Sequence, residues 1–127
     1  MEYRIEFGDG PPHVVVETAG EADSEGVAAF NEAIVGHPQF RPGMTILVDH
    51  SSLDATLLTE ADIAAIAAHV RRLEPAFGDA RVALVAPDAF TEGLARFSVR
   101  EAAFERLAPR TFPSRSDAVD WLRGDGS

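Results

Sequence analysis

The most constraining feature of this sequence is an alternation of two patterns along residues 13–122. Short apolar runs rich in β-branched residues and bounded by glycine or proline predict strands. Longer stretches whose apolar residues recur every three or four positions lie between them and predict amphipathic helices. Because strands that alternate with helices pair in parallel through right-handed crossovers, the sequence predicts an α/β fold with a mixed, mostly parallel, five-stranded sheet.

An antiparallel hairpin is predicted to precede this alternation. Tyr3, Ile5 and Phe7 alternate with charged residues, which is typical of a strand with one polar face. The turn signal at residues 8–12 (GDGPP) separates this strand from a second one at residues 13–18 (HVVVET). The charged face indicates that the first strand lies at a sheet edge.

Helix-capping residues and apolar runs place the remaining elements. The predicted helices, with approximate bounds, run from the cap Asp23 to Val35, from the Thr59–Asp62 capping box to Pro75 and Gly78, from the cap Asp88 to Leu107, and from Ser114 or Ser116 to Leu122. The strands predicted between them lie at 45–48, 81–85 and 110–112. The whole order is β-β-α-β-α-β-α-β-α.

Successive right-handed crossovers between sequence neighbours would place all helices on one face of the sheet. In the central strand, however, Ile46 and Val48 point one way and Leu47 points the other, so both faces are apolar. An apolar sheet face without helices is a candidate interface, and we therefore expect a homodimer.

Length and composition exclude several functional classes. A chain of 127 residues fits one domain over residues 1–127, and the absence of cysteine excludes disulfides and thiolate chemistry. The net charge is −10 and all 11 basic residues are arginine, so we expect no nucleic-acid partner. The charged N-terminus is unlike a signal peptide, and no apolar run is long enough to span a membrane, which favours a cytoplasmic location.

Residues 42–122 resemble the bacterial SpoIIAA-like proteins, also described as STAS/SEC14-like domains. The segments that carry the resemblance are PGMTILVD before the second helix, RVALVAPDAF entering the third, GLARF within it, and SDAVDWL at the end. The resemblance implies an open (βα) superhelical fold and a domain without enzymatic activity.

One motif of the better-known relatives is missing. In the anti-sigma-factor antagonists, a phosphorylatable serine in an Asp-Ser-Ser-Gly motif begins the helix after the central strand. Here the corresponding positions begin near Leu57 and Leu58, which carry no hydroxyl, and Thr59 is the predicted helix cap. The sequence therefore argues against kinase-controlled switching.

Polar side chains collect where the central strands are predicted to end. Because ligands of open parallel sheets bind beyond the carboxyl ends of the strands, these side chains are candidates for binding a partner or ligand. The candidates are Asp49, His50, Ser51, Ser52, Asp54 and Asp88. The alternative is that Asp88 only caps a helix and the others belong to a solvated loop.

Three aromatic residues of the third helix, Phe90, Phe97 and Phe104, are candidates for lining an apolar pocket. Glu101 falls within the same stripe, so it is either a buried carboxylate or is turned outward by a shift of the helix.

Asp49, His50 and Ser51 have the residue types of a catalytic triad, but the members of a triad normally converge from separate segments. Because the four histidines are also scattered, we expect no enzymatic activity, cofactor or metal. The favoured function is a non-enzymatic interaction or regulatory domain that binds a protein partner or itself. It would act through its sheet face or residues 49–59. The alternative is a carrier of a small, lipid-like apolar ligand. A third possibility, an enzyme, would require Asp49, His50 and Asp88 to meet in a cleft.

Overall fold

The computed structural model of the chain describes residues 1–124, so the last three residues of the expected domain lie outside the described part. The elements are β1 (Glu2–Phe7), β2 (Val14–Glu21), α1 (Ser24–Val35), β3 (Thr45–Asp54), α2 (Glu60–Phe77), β4 (Arg81–Val85), α3 (Ala89–Ala102), β5 (Arg110–Phe112) and α4 (Arg115–Leu122). The predicted element order is confirmed.

The five strands form one sheet in the order β1-β2-β3-β4-β5. Only the β1–β2 pair is antiparallel, as predicted for the N-terminal hairpin, and the other neighbours are parallel. This arrangement confirms the predicted mixed, mostly parallel five-stranded sheet. None of the helices in residues 1–124 has the length and apolar character required to cross a membrane.

The three crossover helices α1, α2 and α3 cover one face of the sheet, which we call the helix-side face. Its buried strand residues Val16, Ile46 and Val48 pack with Phe30 and Ile34 of α1. The helices begin where the sequence predicts. Asp23 and Asp88 each accept a hydrogen bond from the backbone three residues on, and Thr59 and Asp62 form the capping box.

The opposite face is covered by α4, and we call it the α4 face. Its core contains Leu47, Ala83 and Val85 from the central strands and Ala118 and Leu122 from α4. The expectation that all helices share one face is therefore wrong. Because α4 follows the last strand and crosses to no further strand, the handedness rule does not determine its face. The apolar sheet face on which the expectation of a homodimer was based is occupied by the chain itself.

The β3 strand is longer than the sequence predicts and runs to Asp54. It reaches beyond the end of β4, because Val85, the last residue of β4, pairs with Asp49, and the rest of β3 pairs only with β2. Residues 49–54 are therefore strand rather than loop. Their polar composition concealed this pairing, since strand propensity depends strongly on neighbouring strands.

One helix end agrees with prediction in part and another differs from it. Gly78 ends α2 as predicted, with a positive φ of 62°, but the helix continues through Pro75 to Phe77. The α3 helix stops at Ala102, because Ala103 takes the left-handed conformation and the Glu74 carboxylate of α2 accepts hydrogen bonds from the next N–H groups. The sequence does not predict the hydrogen bonds from Glu74 to residues 105–107, because these groups lie about thirty residues apart.

Candidate functional site

An apolar cavity of about 150 Å³ lies between the helix-side face of the sheet and helices α1, α2 and α3, and it is partly open to solvent. The lining residues from the sheet and the first two helices include Phe30, Ile34, Ile46, Val48, Ile63, Ile66 and Ala67. Protein interiors rarely contain voids larger than a water molecule. A cavity of this volume is therefore a candidate binding site.

The α3 helix presents a stripe of small and medium-sized residues to the cavity. The stripe consists of Thr91, Leu94, Ala95, Ser98, Val99 and Ala102. Each of these residues has another member of the stripe three or four positions away, and the pattern continues over three turns. All six side chains therefore lie on one side of the helix. This pattern could have been found in the sequence, whereas the aromatic stripe that was predicted to line a pocket is interrupted by Glu101.

Two of the three aromatic pocket candidates do not line the cavity. Phe90 and Phe97 lie on the outer side of α3, with 52% and 41% of their surface exposed. Phe104, which follows the end of α3, does line the cavity. Glu101 is exposed, so the helix turns this carboxylate to solvent and leaves no buried charge.

A β-bulge brings one polar side chain into this apolar wall. Glu17 of β2 pairs with Asp49 and Ala19 pairs with Ser52, so that Thr18 alone stands opposite both His50 and Ser51. An extra residue of this kind bends the strand and changes which side chains share a face. As a result, both His50 and Leu53 line the cavity although they are three residues apart.

The imidazole of His50 is held by Thr18, which sequence reasoning did not identify. The Nδ1 atom of His50 lies 2.7 Å from the Thr18 hydroxyl, and Thr18 is only 2% exposed. The edge of the ring also packs against the Phe30 ring. Burial lowers the pKa of His50 from its ordinary 6.5 to about 4, and the nearby Asp49 carboxylate opposes this effect only in part. The imidazole is therefore neutral at pH 7.

The other sequence-predicted site residues do not converge on His50. The carboxylate of Asp49 is on the α4 face, 3.3 Å from the guanidinium of Arg115, and accepts a hydrogen bond from the hydroxyl of Ser51. Ser52 is exposed, and Asp54 at the end of β3 accepts a hydrogen bond from Thr56. Each of these groups therefore has a local partner or faces solvent.

Asp88 acts as the N-cap of α3, where its carboxylate accepts a hydrogen bond of 2.8 Å from the N–H of Thr91. This hydrogen bond, with a smaller contribution from the Thr91 hydroxyl, lowers the pKa of Asp88. The capping interpretation of Asp88 is therefore correct for this structure.

The part of the α4 face near β1 is charged rather than apolar. Glu17 accepts hydrogen bonds from Arg4 at 2.6 Å and from Arg115 at 3.1 Å, and these bonds lower the pKa of its carboxyl group. Together with Asp49 and with Glu6, which lies 3.6 Å from Arg4, these residues form a five-membered ion-pair network on the surface. Such exposed pairs contribute little to stability, but they make this part of the sheet unsuitable as an apolar interface.

Within residues 1–124, no three histidine or acidic side chains are placed to hold a metal ion. Asp49 and His50 also have partners on opposite faces of the sheet, Arg115 on one and Thr18 on the other. They therefore cannot act as a hydrogen-bonded acid–base pair in this arrangement.

Comparison with known structures shows what this chain is similar to. An uncharacterised protein of the DUF3478 family from Shewanella loihica PV-4, which has a SpoIIAA-like fold, superposes with a TM-score of 0.57 at 20% sequence identity. The similarity covers 94% of this chain and 93% of that one. The chain has a SpoIIAA-like fold. No protein-family model and no curated protein sequence matches this chain.

Proposed function

We propose that this protein is a non-enzymatic binding domain that holds a small apolar molecule in the cavity between its sheet and α1–α3. The observation that carries the proposal is the cavity itself, whose wall is apolar apart from a few side chains. Because the cavity is partly open, water can reach part of its apolar wall, and a bound apolar molecule would remove that surface from water.

The size of the cavity limits the ligand. A closed apolar cavity of about 150 Å³ in another protein accommodates benzene. The proposed ligand is therefore a molecule with one ring or a short branched chain, rather than a full-length lipid. The proposed ligand is therefore smaller than the lipid-like molecule that the sequence suggests as an alternative.

Filling the cavity is expected to abolish binding. Ala67 is 2% exposed and lines the cavity from α2. The Ala67→Leu substitution adds three carbon atoms there and suits a helix, so we expect the affinity for toluene to fall at least about tenfold while the fold remains intact. Isothermal titration calorimetry measures the affinity, and circular dichroism verifies the fold.

Ala64→Leu is the matched control, because Ala64 lies on the same helix and is exposed. It should bind toluene as the unsubstituted protein does. Equal affinity of the Ala67→Leu variant and this control would refute the cavity as the binding site, as would an unsubstituted protein that binds no small apolar molecule.

A second candidate function, self-association, is supported by the outer side of α3. Phe90 and Phe97 are seven residues apart, which places both exposed rings on one side of the helix. Aromatic side chains are enriched in protein interfaces. This surface replaces the sheet face as the location of the expected homodimer.

Sedimentation velocity tests this candidate. The 13.6 kDa chain should sediment as a dimer, and the double variant Phe90→Ser/Phe97→Ser should sediment as a monomer. The control is Arg96→Ser/Arg100→Ser, which changes exposed residues of the same helix. A monomeric unsubstituted protein at high micromolar concentration would exclude self-association as its function.

A further inference from the structure

The cavity wall contains one side chain whose hydrogen-bonding state can be worked out, His50. The hydroxyl of Thr18 has two neighbours, the carbonyl oxygen of Asp49 at 3.2 Å and the Nδ1 atom of His50 at 2.7 Å. A carbonyl oxygen can only accept a hydrogen bond. Because a hydroxyl has a single proton, a Thr18 that donates to Asp49 must accept from His50.

This arrangement favours one tautomer of the imidazole, in which Nδ1 carries the proton and donates it to Thr18 while Nε2 carries a lone pair. Within the described residues, Nε2 makes no hydrogen bond to the protein, and the ring lines the cavity. An apolar molecule that fills the cavity would displace water from this acceptor, whereas a ligand that donates to Nε2 would replace the lost hydrogen bond.

Two of the other polar side chains around the cavity already have partners. Asn31 donates its amide N–H to the carbonyl of Val27 at 2.9 Å, and Thr91 interacts with Asp88. Ser98 lies on α3, across the cavity from the sheet. His50 is therefore the sheet-side acceptor that faces an apolar ligand.

We propose that the ligand is a small neutral alcohol or phenol whose hydroxyl group donates a hydrogen bond to Nε2 of His50 while its hydrocarbon part fills the cavity. This inference rests on the proposed function and adds the chemical class of the ligand. A carboxylate of the same size is disfavoured, because its oxygens have no proton to donate to a lone pair and the protein carries a net charge of −10.

The test compares toluene with p-cresol, which differ by one hydroxyl group. The unsubstituted protein should bind p-cresol about threefold more tightly than toluene or better, since a net hydrogen bond changes affinity by this order. In the His50→Phe variant the preference should reverse to about tenfold in favour of toluene, because the ligand hydroxyl would then be buried without a partner.

The outcomes separate this inference from the proposed function. Toluene binding without a preference for p-cresol would overturn the His50 anchor and leave the apolar cavity as the binding site. Tighter binding of p-toluate than of p-cresol would overturn the assignment to neutral alcohols. Failure of all three compounds to bind would overturn the proposed function and this inference with it.

A second measurement needs no substitution and therefore does not depend on how well a variant folds. Nitrogen-15 NMR of the imidazole distinguishes protonated from unprotonated ring nitrogens. We expect a protonated Nδ1 and an unprotonated Nε2 in the free protein, and a change at Nε2 on addition of p-cresol but not of toluene. A protonated Nε2 in the free protein would overturn the proposal.

Discussion

Lowering the pH from 7 to 5 should reduce the free energy of unfolding by about 2 kcal/mol through His50 alone. Burial lowers the pKa of this imidazole in the folded protein to about 4, whereas the unfolded chain has the ordinary value of 6.5. Below pH 6.5 the unfolded chain takes up a proton that the folded protein does not. Stability therefore falls with falling pH, and the loss levels off below the folded pKa near 4.

The groups around His50 agree with a loss of stability as the pH falls. Asp49 raises the pKa, but burial has the larger effect, and Thr18 is uncharged. The carboxyl groups with lowered pKa values, which include Glu17, Glu74 and Asp88, contribute in a different window. Their stabilisation is present above the unfolded pKa near 4 and is lost as pH falls through their lower folded values. The change in the free energy of unfolding between pH 7 and pH 5 therefore arises mainly from histidine.

The measurement is urea denaturation at pH 7, 6 and 5, with the His50→Gln variant as the control. Glutamine keeps a polar side chain but does not titrate, so the difference between the two proteins isolates His50 from the other ionisable groups. Equal slopes of stability against pH in both proteins would show that His50 is not shielded in the folded state.

The alternation of strands and helices could be predicted from the sequence because each element has a strong periodicity of its own. Ile46, Leu47 and Val48 are apolar on both strand faces, and Asp23, Thr59 and Asp88 cap the helices as their residue types indicate. These features are local, and they fixed the element order. They also account for the SpoIIAA-like fold shared with the structure of similar length.

The features that could not be predicted depend on contacts between distant segments. The packing of α4 against the sheet depends on the apolar residues Leu47 and Ala83. These residues lie more than thirty positions before that helix in the sequence. The end of α3 depends on Glu74 of α2. The extension of β3 through its polar residues depends on pairing with β2, which a reading of β3 alone does not contain.

The candidate site was predicted only in part for the same reason. His50 was among the predicted site residues, but it was grouped with Asp49 and Ser51, which project to the other side of the sheet. The β-bulge opposite Thr18 is a property of two paired strands. The buried Thr18 itself gives a weak signal, since it continues the inward alternation of Val14 and Val16 with a polar residue.

The packing of α4 leads to a second large prediction. Leu47 is completely buried on the α4 face, where it lies in the core formed with Ala83, Val85, Ala118 and Leu122. The Leu47→Ala substitution removes three carbon atoms and leaves a cavity between the sheet and α4. We expect the free energy of unfolding to fall by about 2–5 kcal/mol, as measured by urea denaturation at pH 7.

Leu57→Ala is the matched control, because Leu57 is 63% exposed in the turn before α2 and its loss should change stability by less than about 0.5 kcal/mol. The comparison also tests which surface of the sheet is free. If α4 did not cover Leu47, this leucine would be exposed in the monomer, and its substitution would weaken self-association while leaving the unfolding energy close to that of the control. A large loss of stability that does not depend on protein concentration is the result expected when the chain itself covers this face.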